Sequence, residues 1–257
     1  MERPRAVRAG VLFCQRGGVH APTNPMKPTV VLLLLGVGAL ALAYALHSGA
    51  VRIPDGWNPW APITIAESPN WLTGFKLGRL SDDAELCRAV LEEAEMAYVA
   101  VPDRVTGPGC GFFNAVRIEA TSAAVGEPFT LSCRAAVALA IWERHVLQPA
   151  AREHFGQPVT ELEHFGSYAC RGVYGREDAR LSRHATADAL DLAGFILEGG
   201  ERIRVLNAWG GEDAEAEFLR DLHRGACRIF DGVLGPEYNP AHHDHFHFEQ
   251  GGFRMCR

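Results

Sequence analysis

The sequence has no close cysteine pair, no internal repeat, no basic excess beyond its first 28 residues and no charge between residues 29 and 46. Each absence narrows the reading. Without a Cys-x-x-Cys pair, a thiolate zinc site has no ligand set. Residues 1–28 hold Arg3, Arg5, Arg8, Arg16 and Lys27 against one acid, Glu2. Of 25 basic and 31 acidic residues in the chain, 20 basic and 30 acidic ones remain beyond that segment. A net charge of about −10 repels phosphate backbones, which excludes nucleic acid as a partner. Gly107-Pro108-Gly109-Cys110-Gly111 is turn-rich, but it lacks the helix start and Lys-Ser/Thr of a phosphate-cradling loop.

The uncharged run at residues 29–46 is near the lower length limit for a bilayer-spanning helix. It is longer than the usual apolar core of a signal peptide. The basic flank before it predicts a cytoplasmic N-terminus with the rest of the chain outside. An uncleaved anchor is expected; cleavage after Ala50 and a true start at Met26 are the alternatives. Cys14 precedes the span, and Cys87, Cys110, Cys133, Cys170, Cys227 and Cys256 follow it. An even number on the exported side predicts disulfides in an oxidising compartment, with the pairing open.

The expected organisation is a cytoplasmic segment (1–28), a transmembrane anchor (29–46), a Pro/Trp-rich linker (47–70) and one domain (71–257). Trp57 and Trp60 suit either a bilayer interface or packing on the domain. Within the domain, Ser81 predicts a helix cap, with the helix running to about Met96. A long helix is expected over 133–154, bent or divided near Pro149. Strands are expected at 98–101, 159–168, 187–195, 202–206 and 245–248, and a helix at 212–224. Helices first and strands later indicate an α+β fold, here with a small antiparallel sheet and flanking helices.

Two segments carry chemistry. Ser182-Arg183-His184-Ala185-Thr186-Ala187-Asp188-Ala189-Leu190-Asp191 sets a histidine and an aspartate seven positions apart. His245-Phe246-His247-Phe248 alternates histidine with phenylalanine, so on a strand the Phe face enters a core while the His face meets a ligand. Two His and one Asp make an N/N/O zinc site with a position left open, the mark of a catalytic rather than a structural zinc. Asp188 competes with Asp191, because an i, i+4 pair with His184 serves on a helix. Asp244 is a spare carboxylate, and His242 and His243 read as loop residues. Trp142, Arg144 and His145 read as packing and surface.

Ser182-x-His184-x-x-Ala187-x-Ala189-x-Asp191 followed by His245-x-His247 resembles the LAS group of zinc metallopeptidases, which includes D-alanyl-D-alanine carboxypeptidases and peptidoglycan endopeptidases. From about Asn70 onward the chain also resembles the bacterial extensin-like C-terminal domain. Gly107 to Gly111, Trp142-Glu143-Arg144-His145 and His164-Phe165-Gly166-Ser167-Tyr168-Ala169-Cys170-Arg171 carry that likeness with the two His segments. The LAS resemblance implies Zn2+ held by His184, Asp191 and His247, with His245 at the reacting water and Arg171 binding substrate. It implies a peptidase acting on peptidoglycan stem peptides or cross-links, anchored in a bacterial inner membrane with its domain in the periplasm. The alternative is a non-catalytic cell-wall-binding or envelope scaffold module that keeps the fold. The group's usual glycine is Ala187 here. Alanine disfavours a positive φ, so a different loop is expected after His184.

Overall fold

The computed structural model describes residues 27–176 and 178–257. Residues 1–26, including Cys14 and Met26, lie outside the described residues, and so does most of the expected cytoplasmic segment. The chain divides into two compact units, Met1–Arg52 and Ile53–Arg257.

In the first unit, Pro28–His47 forms helix α1, with no charged and no buried residue. Pro28 starts it, where a missing N–H costs nothing. Twenty residues at 1.5 Å each come to about 30 Å, the thickness of a bilayer's hydrocarbon core. The helix is long and apolar enough to cross a membrane or to serve as a signal sequence.

The second unit contains helices α2 (Thr73–Arg79), α3 (Ala84–Leu91), α4 (Cys133–Trp142), α5 (Gln148–Phe155), α6 (Val205–Ala208) and α7 (Ala214–Ala226). Its strands are β1 (Ala97–Val101), β2 (Arg104–Gly107), β3 (Cys110–Phe112), β4 (Ala115–Ala120), β5 (Ala124–Ser132) and β6 (Val159–Gly166). They continue with β7 (Ala189–Leu197), β8 (Arg202–Arg204), β9 (Gly232–Leu234), β10 (Phe246–Glu249) and β11 (Met255–Cys256). Nine of them form one sheet in the order β1-β4-β5-β6-β7-β10-β9-β11, with β8 beside β7; β2 and β3 form a separate pair.

The α+β class holds, but the sheet is large and mixed rather than small and antiparallel. β5 pairs with β6 in parallel, and β11 with β9. The hairpin β4–β5 hides from a local reading because Gly126 and Pro128 interrupt β5. Ile118 faces Phe129 and Ala120 faces Ala124, so residues 125–128 bulge out opposite one residue of β4. Proline lacks an N–H, and the bulge places it where the ladder needs none.

Cys133 to Phe155 runs as α4, a π-helical turn at Glu143–Leu147, and α5. The irregularity is thus the wide turn rather than a break at Pro149, which sits harmlessly in the first turn of α5. Nine of the ten α4 residues are buried, as befits a helix apolar on all sides. Trp142 lies at the centre of the core, edge-on to Phe248 at 5.2 Å, with Nε1 donating to the Leu222 carbonyl at 3.2 Å. Asp83, not Ser81, caps α3 by accepting the Leu86 N–H, and α3 ends at Leu91. In the Pro/Trp-rich segment, Ile63 and Ile65 are buried in the core while Trp57 and Trp60 are exposed. Disulfides join Cys87 to Cys133, Cys110 to Cys170 and Cys227 to Cys256.

Candidate metal centre

β10 lies between β7 and β9 and runs antiparallel to both. Its alternation sends Phe246 and Phe248 into the core, each almost wholly buried, and turns His247 and Glu249 to the other face. The register sets His247 directly opposite Asp191 of β7. On the far side of β7, Gly166 of β6 also faces Asp191, which brings the following Ser167 beside the site. The sheet's interior ladder therefore delivers two candidate ligands without help from any loop.

The third, His184, stands on a single 3-10 turn, Arg183–Thr186. Ser182 caps this turn by accepting the His184 N–H at 3.3 Å. Ala187 ends it with φ 55°, in the left-handed region. Alanine thus adopts the positive φ that it was expected to avoid. Strain of about 1–2 kcal/mol is borne here. Hydrogen bonds hold it: the Ala187 N–H donates to His184 O, and the Ser132 N–H donates to Ala187 O at 2.7 Å. Burial of the Ala187 methyl with Phe112 and Ala115 offsets about 0.8 kcal/mol.

The three side chains converge. His247 Nδ1 is 2.8 Å from Asp191 Oδ1, and His184 Nε2 is 3.2 Å from both Asp191 Oδ2 and His247 Nδ1. Ligand atoms on a tetrahedral ion with bonds near 2.0–2.1 Å lie about 3.3 Å apart, so the set matches that spacing closely. The opposite nitrogen of each imidazole has an acceptor: Ser167 O at 3.1 Å for His184, and Glu249 Oε2 at 3.0 Å for His247. Such outer acceptors fix the tautomer and orientation of a ligating histidine. These residues could hold a metal ion. His223, Cys227 and Cys256 also cluster, but their two sulfurs are joined in a disulfide.

Asp188 does not join the group. It accepts from the Ser132 and Thr186 hydroxyls, each at 2.7 Å, and lies 3.5 Å from Arg134. His245 stands just before β10, with Nδ1 2.8 Å from Asp244 Oδ1 and Nε2 3.6 Å from Asp191 Oδ1. Arg171 lines the same cleft of about 310 Å³ as the three clustered residues, together with Tyr174, Arg180 and Tyr238. His242 was expected in a loop; it sits on the turn Pro240–His242, buried, and lines the cleft. His243 is exposed.

Electrostatics follow from this packing. Burial works against the Asp191 charge, but hydrogen bonds from His184 and His247 hold its carboxyl far below the usual carboxylate range. Burial lowers His247, yet the bonds and charges of Asp191 and Glu249 outweigh it and lift it to about 9. Burial and the neighbouring His247 and His245 push His242 down to about 4. Burial raises Glu249, but the His247 bond and the charges of His247, Arg183 and Arg180 bring it below its ordinary value.

Sequence reasoning left the outer partners unnamed. Glu249 was legible: it continues the every-second-residue face of His245 and His247. The Ser167 carbonyl was not, because a backbone acceptor leaves no mark in residue types. Neither the curated proteins nor the solved structures hold a match to this chain. Residues 85–257 match the family described as extensin-like protein C-terminus, so a stretch carrying the β7–β10 ladder and all three clustered residues places the chain in that family.

Proposed function

We propose that this chain is a zinc-dependent peptidase of the bacterial envelope, acting on peptidoglycan stem peptides or cross-links. The observation that carries the reading is the His184, Asp191 and His247 cluster, held by outer acceptors at the wall of an arginine-bearing cleft. Two imidazoles and one carboxylate suit zinc, and three protein ligands leave a position for reactants. The likeness of the Ser182-to-Asp191 and His245-to-His247 segments to LAS metallopeptidases supports the substrate class. Three disulfides favour an oxidising compartment. With the basic flank before α1, this fits an inner-membrane anchor and a periplasmic domain.

Zinc held there supplies Lewis acidity, making water nucleophilic near neutral pH and polarising a carbonyl. His245 serves as the base. Its Nδ1–H donates to Asp244, which orients the ring and leaves the Nε2 lone pair directed to the Asp191 side of the site. A proton taken at Nε2 is then available for the leaving amine. Arg171 binds a substrate carboxylate through its planar fork of donors. Its base is fixed, because the preceding Cys170 is joined to Cys110 of β3.

The test is digestion of purified peptidoglycan by the zinc-loaded full chain, followed by mass analysis of the fragments. Release of peptide fragments is expected from wild type. His245→Ala keeps its zinc and loses about 10²- to 10⁴-fold in rate. If wild type releases nothing that Asp191→Ala does not release, the peptidase reading falls. Co-sedimentation with wall material in that case would establish a non-catalytic binding module instead.

A further inference from the structure

Beyond Arg171, the cleft has a second arginine with no assigned task. After β6 the chain turns back on itself, and Gly172 and Leu181 form an isolated antiparallel bridge. The Ser182 N–H donates to Arg171 O at 3.0 Å, and the Val173 N–H donates to Arg180 O at 2.9 Å. Arg171 therefore faces Ser182, and Val173 faces Arg180, on a short two-stranded arm. Side chains alternate across such an arm, so Arg171, Val173, Arg180 and Ser182 share one face. All four line the cleft, while Gly172 and Leu181 do not. Arg171 and Arg180 occupy diagonal positions, which in such a ladder lie about 7–8 Å apart, with β-carbons somewhat closer.

Their charges find no acidic partner within ion-pair distance among the described residues, whereas Arg176 on the same arm pairs with Asp178. Arg183, also at the cleft, donates to the Gly251 carbonyl. Glu249 feels the Arg180 charge but hydrogen-bonds to His247. Two exposed guanidiniums on one wall, set apart along it, fit two separate anionic groups better than one.

We propose that the cleft selects a peptide bearing two carboxylates on its terminal residue, one met by Arg171 and the second by Arg180. Arg180 is then a specificity-determining residue, and the inference rests on the peptidase reading of the site. Phosphate is not required, since each guanidinium accepts one carboxylate as a planar fork-to-fork pair.

The experiment compares two nearly isosteric probes, acetyl-Ala-Glu and acetyl-Ala-Gln, each with L and D terminal residues. Both carry the terminal carboxylate, and only the first carries another. Binding is measured by calorimetry on the zinc-loaded full chain in detergent, in a His245→Ala background that suppresses turnover. The Glu probe is expected to bind about three- to tenfold tighter than the Gln probe, the range for a partly solvated charge-assisted pair. Arg180→Gln brings that ratio to about one, with zinc content unchanged and the Gln probe still bound. Arg171→Gln weakens both probes. A ratio near one in the Arg180-intact protein, or a ratio that survives Arg180→Gln, overturns the two-carboxylate inference and leaves the peptidase reading standing. If neither probe binds in either form, the peptide-binding reading falls and takes this inference with it.

Discussion

If the proposed zinc is bound, stripping it should make the stability of this protein depend on pH in a window where the loaded protein is insensitive. In the metal-free protein, burial opposes the His247 charge, but Asp191 and Glu249 raise the ring from 6.5 to about 9. A raised histidine stabilises the fold fully below its unfolded pKa, and that contribution is lost as pH rises through the folded value. Between pH 7.5 and 9.5 the loss comes to about 2 kcal/mol, from the general value of 1.36 kcal/mol per pKa unit. For a domain of this size, that lowers the melting temperature by roughly 4–8 °C. Other shifted groups do not obscure the window. Burial raises Glu143 to about 7, so its contribution is lost mostly at lower pH. His242, depressed to about 4, gains its contribution as pH rises to its unfolded value near 6.5. A bound ion replaces the proton on His247 Nδ1, so the zinc-loaded protein should lose less than about 0.5 kcal/mol over the same window. Chelator-treated and zinc-loaded full chain, unfolded in detergent at both pH values, provide the assay. Equal losses in both forms, or no loss in the metal-free one, refute the reasoning.

Asp191→Ala should lose most of the bound zinc by elemental analysis. Asp188→Ala should keep it but lose about 1–3 kcal/mol of unfolding free energy in urea, because the Ser132 and Thr186 hydroxyls lose their acceptor. Glu249→Gln should weaken zinc affinity about 10- to 100-fold in a chelator competition at pH 9.5, where proton competition at His247 is small. An unchanged affinity would deny Glu249 its orienting role. Ala187→Gly should change stability by less than about 1 kcal/mol, since relief of left-handed strain and loss of a buried methyl nearly cancel. Ala187→Val should cost more than about 2 kcal/mol, as a β-branched residue suits neither the φ nor the space; urea unfolding distinguishes the two.

Much of the candidate site's geometry was legible because it follows the simplest periodicity in proteins. The alternation His245, Phe246, His247, Phe248 states which face is buried and which is chemical, and the strand obeys it. Spacing left Asp188 and Asp191 in competition, and the family resemblance favoured Asp191; its pairing opposite His247 is a property of the whole sheet. What escaped was non-local or carried by backbone. The β4–β5 hairpin gives no local strand signal, with Gly126 and Pro128 in its bulge, and its parallel neighbour β6 begins 27 residues after β5 ends. Ala187 misleads for another reason. Its φ is set by bonds from Ser132 and to His184, and such constraints override the preference of a single residue. The disulfide pairing was likewise open, because partners 46, 60 and 29 residues apart meet only in the folded chain.

The position of β10 inside the sheet has a consequence for how the protein comes into being. A chain is made, and threaded through any export channel, from its N-terminal end. His184 and Asp191 emerge first, but His247 follows Asp191 by 56 residues and takes its place between β7 and β9. The ligand set is completed by the same event that closes the interior of the sheet. An ion bound at the proposed centre would therefore tie β7 to a strand that only the C-terminal end of the chain supplies, coupling metal uptake to completion of the sheet.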